Sequence, residues 1–135
     1  MGEVHVRVRI SNAADTLMVA QGTLAPEAVR FCEVDAIVDT GATKSVIPKD
    51  VATQLGLGIL RQTKGRLADG TRITAGVSIV SFMIDGRETE EDAFILGDRV
   101  LIGQTVLEST DLLVDCSNRK VIPNPEHPDG PLFRF

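Results

Sequence analysis

The sequence predicts one predominantly β domain carrying one or two short helices. Three observations carry that prediction. The chain has 135 residues, a length that suits a single domain and allows roughly two-thirds of the unfolded surface to be buried. Hydrophobic residues make up 43%, yet there is no Trp or Tyr and there are only five Phe. Val, Ile and Leu must therefore supply the packing, and β-branched residues favour strands. Finally, short apolar or alternating runs follow one another at close intervals, punctuated by turn-forming residues.

The elements follow in order. Residues 3–10, E-V-H-V-R-V-R-I, alternate throughout. Val4, Val6, Val8 and Ile10 face one side and His5, Arg7 and Arg9 the other, as in a half-buried strand. S-N-A-A-D at 11–15 ends it. Residues 16–21 and 28–38 read as two further strands divided by G-T-L-A-P-E. The second enters Ala36-Ile37-Val38, apolar on consecutive positions, which places it deep in the fold. In P-K-D-V-A-T-Q-L-G-L (48–57) the period changes: Val51, Ala52 and Leu55 fall at helical spacing, with Pro48 in the first turn and Gly56 at the end.

Residues 61–73 are polar and contain Asp69-Gly70, a hairpin signal. Residues 71–84 form one or two strands that bend near Gly76. Asp85-Gly86-Arg87 turns the chain again, into a strand over 89–96. V-L-I-G at 100–103 leads to a turn or two of helix at 104–110. Strands at 111–115 and 119–122, joined by C-S-N, complete the body. The folded domain is expected over 1–123 and a Pro-rich C-terminal tail over 124–135. From Pro123 onward the chain holds four prolines and is expected to be extended. Its apolar end, Leu132, Phe133 and Phe135, is expected to pack on the body or on a partner.

Composition narrows the function. The formal charge is −5, which disfavours nucleic-acid binding because that depends on neutralising phosphates. Cys32 and Cys116 have no C-x-x-C spacing, and His5 and His127 add no metal pattern, so no metal and no cofactor is implied. Both cysteines are expected to be inert packing residues in a reducing compartment. The first residues lack an apolar signal core, and no run approaches a membrane span, which points to a cytoplasmic protein with no membrane association.

The stretch with chemical content is V-D-A-I-V-D-T-G-A-T-K-S-V-I-P at 34–48. Asp39 stands at the end of a buried strand, Gly41 allows a tight turn, and the hydroxyl of Thr40 can tie one loop to a neighbour. Alone, Asp39 reads equally as an ordinary turn carboxylate or as half of a catalytic pair. Two carboxylates sharing one proton divide the labour of amide hydrolysis, one as base towards water and the other as acid towards substrate. This chain offers one such acid, so a symmetric pair requires two copies about a two-fold axis. Asp35 alternates to the solvent side, while Asp111 and Asp115 flank an apolar run and read as strand-end caps.

The same stretch resembles the active-site strand and loop of the retroviral-type, or retropepsin-like, aspartic proteases, small prokaryotic homodimeric members among them. The resemblance continues in order through K-G-R-L-A-D-G-T (64–71), V-L-I-G (100–103), Q-T-V-L-E-S-T (104–110) and D-L-L-V-D-C-S-N-R-K-V-I (111–122). It implies a closed, barrel-like acid-protease fold over 1–123. It implies Asp39 as catalytic carboxylate, with Thr40 bridging the two loops of a dimer, Gly41 permitting the turn and Ala42 lining the floor. Leu101, Ile102 and Gly103 would pack behind the loop. Leu67, Ala68, Asp69 and Gly70 would belong to a flap closing over substrate. The implied function is a homodimeric aspartic endopeptidase acting on a peptide or protein substrate. The alternative is a non-catalytic dimeric β module that binds peptides or serves assembly on the same fold.

Overall fold

The computed structural model describes residues 2–135; Met1, the first residue of the expected domain, lies outside the described residues. In chain order the strands are β1 (Val4–Asn12), β2 (Phe31–Val38), β3 (Ser45–Ile47), β4 (Arg61–Arg66), β5 (Arg72–Ile84), β6 (Arg87–Ile95), β7 (Leu101–Ile102), β8 (Leu112–Asp115) and β9 (Lys120–Pro123). Three short α-helices, α1 (Ala13–Ala20), α2 (Lys49–Gln54) and α3 (Gln104–Thr110), and one 3-10 turn (Pro26–Ala28) are interspersed. The fold is all-β, and its main sheet closes on itself. The order β1-β2-β7-β3-β6-β5 is completed by direct pairing of β1 with β5, and β4 extends outward from β5. Closure leaves few free strand edges. Strands β8 and β9 form a separate two-stranded hairpin.

Alternation explains the outer strands. In β1, Val8 and Ile10 are buried while Arg7 is exposed, and the strand pairs antiparallel with β2 from Val4↔Val38 to Ser11↔Phe31. β5 runs unbroken from Arg72 to Ile84, so the residues around Gly76 belong to one long strand rather than two. Its turn into β6 places Asp85 at φ 52° and Gly86 at φ 74°, the left-handed pair that a two-residue hairpin demands. Inside the barrel, Val8, Ile10, Ile47, Val80, Phe82 and Ile102 pack with Val106 of α3.

Residues 16–21, expected as a strand, belong instead to α1 and the residue that follows it. The run L-M-V mimics a strand, but Asn12 caps a helix by accepting the Asp15 amide on Oδ1 at 3.0 Å. Ala13 and Ala14 then favour helix. Asp15 is buried and takes two hydrogen bonds from the Arg30 guanidinium, at 2.9 Å each. Asn12 also donates to the Leu55 and Gly56 carbonyls. The helix is therefore fixed by polar contacts to distant residues, while Leu17 and Met18 stay exposed. At α2, Pro48 sits at the cap position rather than inside the first turn.

Two further expectations change. Cys116 is exposed rather than packed, and only Cys32 is partly buried, with burial pushing its thiol pKa up. Leu132, Phe133 and Phe135 are exposed and do not pack on the body. The preceding segment is held firmly, however. The buried Arg87 guanidinium donates to the carbonyls of Thr110, Asp111 and His127, and the Asp111 carboxylate meets Asn124 and His127.

Candidate active site

Asp39 follows the last residue of β2, and β7 fixes where its backbone goes. β7 lies between the strand that enters the loop and the strand that leaves it. It runs parallel to β2 (Ile37↔Leu101, Val38↔Ile102) and antiparallel to β3 (Val46↔Leu101). The Asp39 amide donates to the Ile102 carbonyl at 2.9 Å, so the ladder carries through to the acid itself. The Ala42 amide donates back to the Asp39 carbonyl at 3.1 Å and closes the turn.

The rest of the loop rests on the start of α3. The first amides of a helix have no intrahelical acceptor; here the Ala42 carbonyl takes the Gln104 amide at 2.8 Å and the Thr43 carbonyl takes the Thr105 amide at 3.1 Å. Ser45, fully buried, accepts the Gly103 amide on Oγ at 2.9 Å. Gly103 has no room for a side chain: a Cβ there would stand 2.6 Å from the Lys44 carbonyl group. At the exit, Lys44 reaches Asp92 of β6 at 2.8 Å, and that hydrogen bond holds the Asp92 carboxyl below its ordinary pKa.

The result is a fixed loop with an open tip. Asp39, Thr40 and Gly41 are exposed and Ala42 is half-buried. The Gly41 amide donates to Asp39 Oδ1 at 3.0 Å, and a Cβ on Gly41 would crowd that oxygen at 3.3 Å. Among the described residues, no ion pair involves Asp39. Steered by one amide and, among the described residues, without a cation partner, the Asp39 carboxylate is open to solvent.

Leu67, Ala68, Asp69 and Gly70 lie in the turn joining β4 to β5, and all four are exposed. The turn is closed by Leu67 N–H to the Thr71 carbonyl and by Gly70 N–H to the Leu67 carbonyl. Asp69 Oδ1 accepts the Thr71 amide at 2.8 Å, which lowers the Asp69 pKa; its carboxylate serves its own turn. Beneath the hairpin is a mostly apolar cavity of about 190 Å³, lined by Val46, Leu67, Ile73, Phe94 and Leu96 and also by Lys64 and Arg66. Val46 belongs to β3, the strand leaving the Asp39 loop, so the hairpin faces that strand across the cavity.

Sequence reasoning missed Ser45, Lys44 and Asp92. Nothing local marks Ser45, because its partner lies 58 residues away. Lys44 carried a signal, a lone charge entering an otherwise apolar strand, which asks for a buried counter-charge.

A closed all-β barrel with an Asp-Thr-Gly loop wedged between β7 and α3 is the retropepsin-like acid-protease fold. Residues 29–109 match the family model described as "gag-polyprotein putative aspartyl protease", and the chain belongs to that family. Among solved structures, it is similar to the retroviral protease-like domain of Ddi1 from Leishmania major. That match has 14% identity and a TM-score of 0.55, covering 96% of this chain and 88% of that one. It is also similar to a retropepsin-like aspartic protease from Rickettsia conorii (19% identity, TM-score 0.47, 85% and 89% covered). A third is EIAV protease complexed with the inhibitor HBY-793 (20% identity, TM-score 0.47, 56% and 75% covered). No curated protein matches the chain. No helix among the described residues is long and apolar enough to cross a membrane.

Proposed function

We propose that the protein is an aspartic endopeptidase that works as a homodimer. The observation that carries this reading is the exposed Asp39 carboxylate, unpaired among the described residues, on a loop pinned by Ile102, Gly103 and α3. One chain supplies one such acid, and the second comes from a symmetry-related copy. Carboxylates about 3 Å apart cannot both be ionised, so the pair holds one proton. The ionised member takes a proton from a bound water. The protonated member polarises the scissile carbonyl, giving a tetrahedral diol without a covalent intermediate. Thr40 ties the two loops across the axis, Gly41 and Ala42 form the floor, and Leu101 to Gly103 back the loop. The hairpin carrying Leu67 to Gly70 acts as the flap.

The domain is assigned to 1–123 and the tail to 124–135. Activity is greatest in acid to weakly acidic solution, where the pair carries its one proton. The test is Asp39→Asn. The variant should remain a folded dimer by sedimentation and circular dichroism and lose peptide cleavage entirely. A dimeric variant retaining the wild-type rate would eliminate the assignment.

A further inference from the structure

The hairpin over the apolar cavity is cationic although the chain as a whole is acidic. The protein is net −5, yet Lys64, Arg66 and Arg72 cluster on β4 and the start of β5. Lys64 and Arg66 are two residues apart on one strand, and Arg66 stands directly opposite Arg72. Side chains alternate along a strand and cross-strand partners share a face, so the three cations lie on one face of the hairpin. The other face bears Thr63, Ile73 and Ala75, which are turned to the apolar cavity beneath. Among the described residues no ion pair involves Lys64, Arg66 or Arg72, and all three are exposed. Asp69, the acid in the connecting turn, is engaged by the Thr71 amide.

Two arginines directly opposite each other repel, at a cost to the hairpin. Protection of an exposed edge strand accounts for Lys64 and Arg66, because charges on an edge discourage pairing with other chains. The same reasoning reaches Arg72, because β6 pairs with β5 only from Gly76 onward, but it does not require two arginines to stand directly opposite each other. The three residues also line a concavity of about 550 Å³ on the hairpin, together with Gly65 and Ile73. Lys64, Gly65, Arg66 and Ile73 line the apolar cavity as well. The concavity and the cavity thus adjoin along the hairpin.

We propose that the cationic face of the hairpin is a docking site for an acidic segment of a polypeptide substrate, whose neighbouring apolar residues enter the cavity beneath. Carboxylates at the spacing of successive Glu or Asp side chains supply the counter-charges that the chain itself lacks here. The occupant is a peptide rather than a nucleic acid because the patch has no aromatic side chain on which bases could stack. The substrate role rests on the endopeptidase reading; the docking face itself does not.

The test separates the two. Fluorescein-labelled hexaglutamate and hexaglutamine are titrated with the full-length protein at low ionic strength and followed by anisotropy. Hexaglutamate should bind about tenfold tighter, the sum of a few exposed ion pairs, and the preference should collapse in 0.5 M salt, where the Debye length falls to about 4 Å. In Arg66→Gln/Arg72→Gln the preference should fall to about onefold. That double variant should melt no lower than wild type, since it removes a repulsion. Equal binding of the two peptides, or an unchanged preference in the double variant, overturns the proposal. So does tighter binding of a six-nucleotide oligothymidylate, which would mark a general polyanion surface. A weakened dimer in the double variant by sedimentation would assign the face to contact between copies and also overturn it. Hexaglutamate binding in a protein that cleaves no peptide would leave the docking face standing and remove the protease reading.

Discussion

The Gly103 amide and the Ser45 hydroxyl show how little of the Asp39 loop's rigidity resides in its own three letters. Asp-Thr-Gly sets a turn; what holds it is a hydroxyl and a missing Cβ on the far side. Ser45→Ala leaves the buried Gly103 N–H without an acceptor, which costs about 1–3 kcal/mol and should appear as a lower urea midpoint with an unchanged slope. Gly103→Ala forces a methyl group to within 2.6 Å of the Lys44 backbone. Backbone cannot swing aside as a side-chain end can, so a similar loss of about 1–3 kcal/mol follows from overpacking. Both variants should lose peptide cleavage beyond what the fraction unfolded explains. Either variant destabilised as expected yet fully active would show that loop placement tolerates the slack.

At the scale of elements, legibility follows how local each determinant is. The alternation of β1 and the Asp85-Gly86 turn were readable because the residues that decide them are adjacent in sequence. The same holds for the Asp-Thr-Gly loop and the Asp69-Gly70 hairpin. Helix α1 was not, because Leu17-Met18-Val19 fits either period and its deciding contacts lie elsewhere. Asn12 reaches Leu55 and Gly56, and Asp15 reaches Arg30. The N-x-x-D spacing of Asn12 and Asp15 was the available signal, a helix cap followed by an acid in the first turn. The site divides in the same way: its acid was legible, while the Ser45 and Lys44–Asp92 contacts were not. Asn12→Ala tests the account of α1. It removes the cap, at about 1 kcal/mol, and leaves the Leu55 carbonyl without its donor. A combined loss of about 1–3 kcal/mol is expected, with faster amide hydrogen exchange confined to residues 13–20. Unchanged exchange there would mean that packing on β5, not the cap, holds the helix.

For the whole molecule, the proposed chemistry and the stability of the fold pull in opposite directions as pH falls. Asp15, Asp92 and Asp111 all have lowered pKa values in the folded chain. Hydrogen bonds from Arg30, from Lys44, and from Asn124 and His127 respectively hold them down. A carboxylate with a depressed folded pKa stabilises fully above its unfolded value, near 4. That stabilisation is lost as pH falls through the lower folded value. Each of the three sits at a junction that positions the site: Asp15 anchors α1 to the chain entering β2, Asp92 holds the exit of the Asp39 loop, and Asp111 joins α3 to the tail. The thermal midpoint should therefore stay nearly level from pH 7 to about 5 and fall steeply below about 4. Asp15→Asn should start lower at pH 7, because its pair with Arg30 is gone, and decline less on acidification. In the proposed dimer, a proton shared by two carboxylates would favour cleavage in acid. The acid limb of the rate profile should then follow the loss of folded protein, not the titration of the pair, and should move with Asp15→Asn. A midpoint unchanged between pH 7 and 3 would detach these three acids from the stability of the fold and leave the acid limb to the catalytic pair alone.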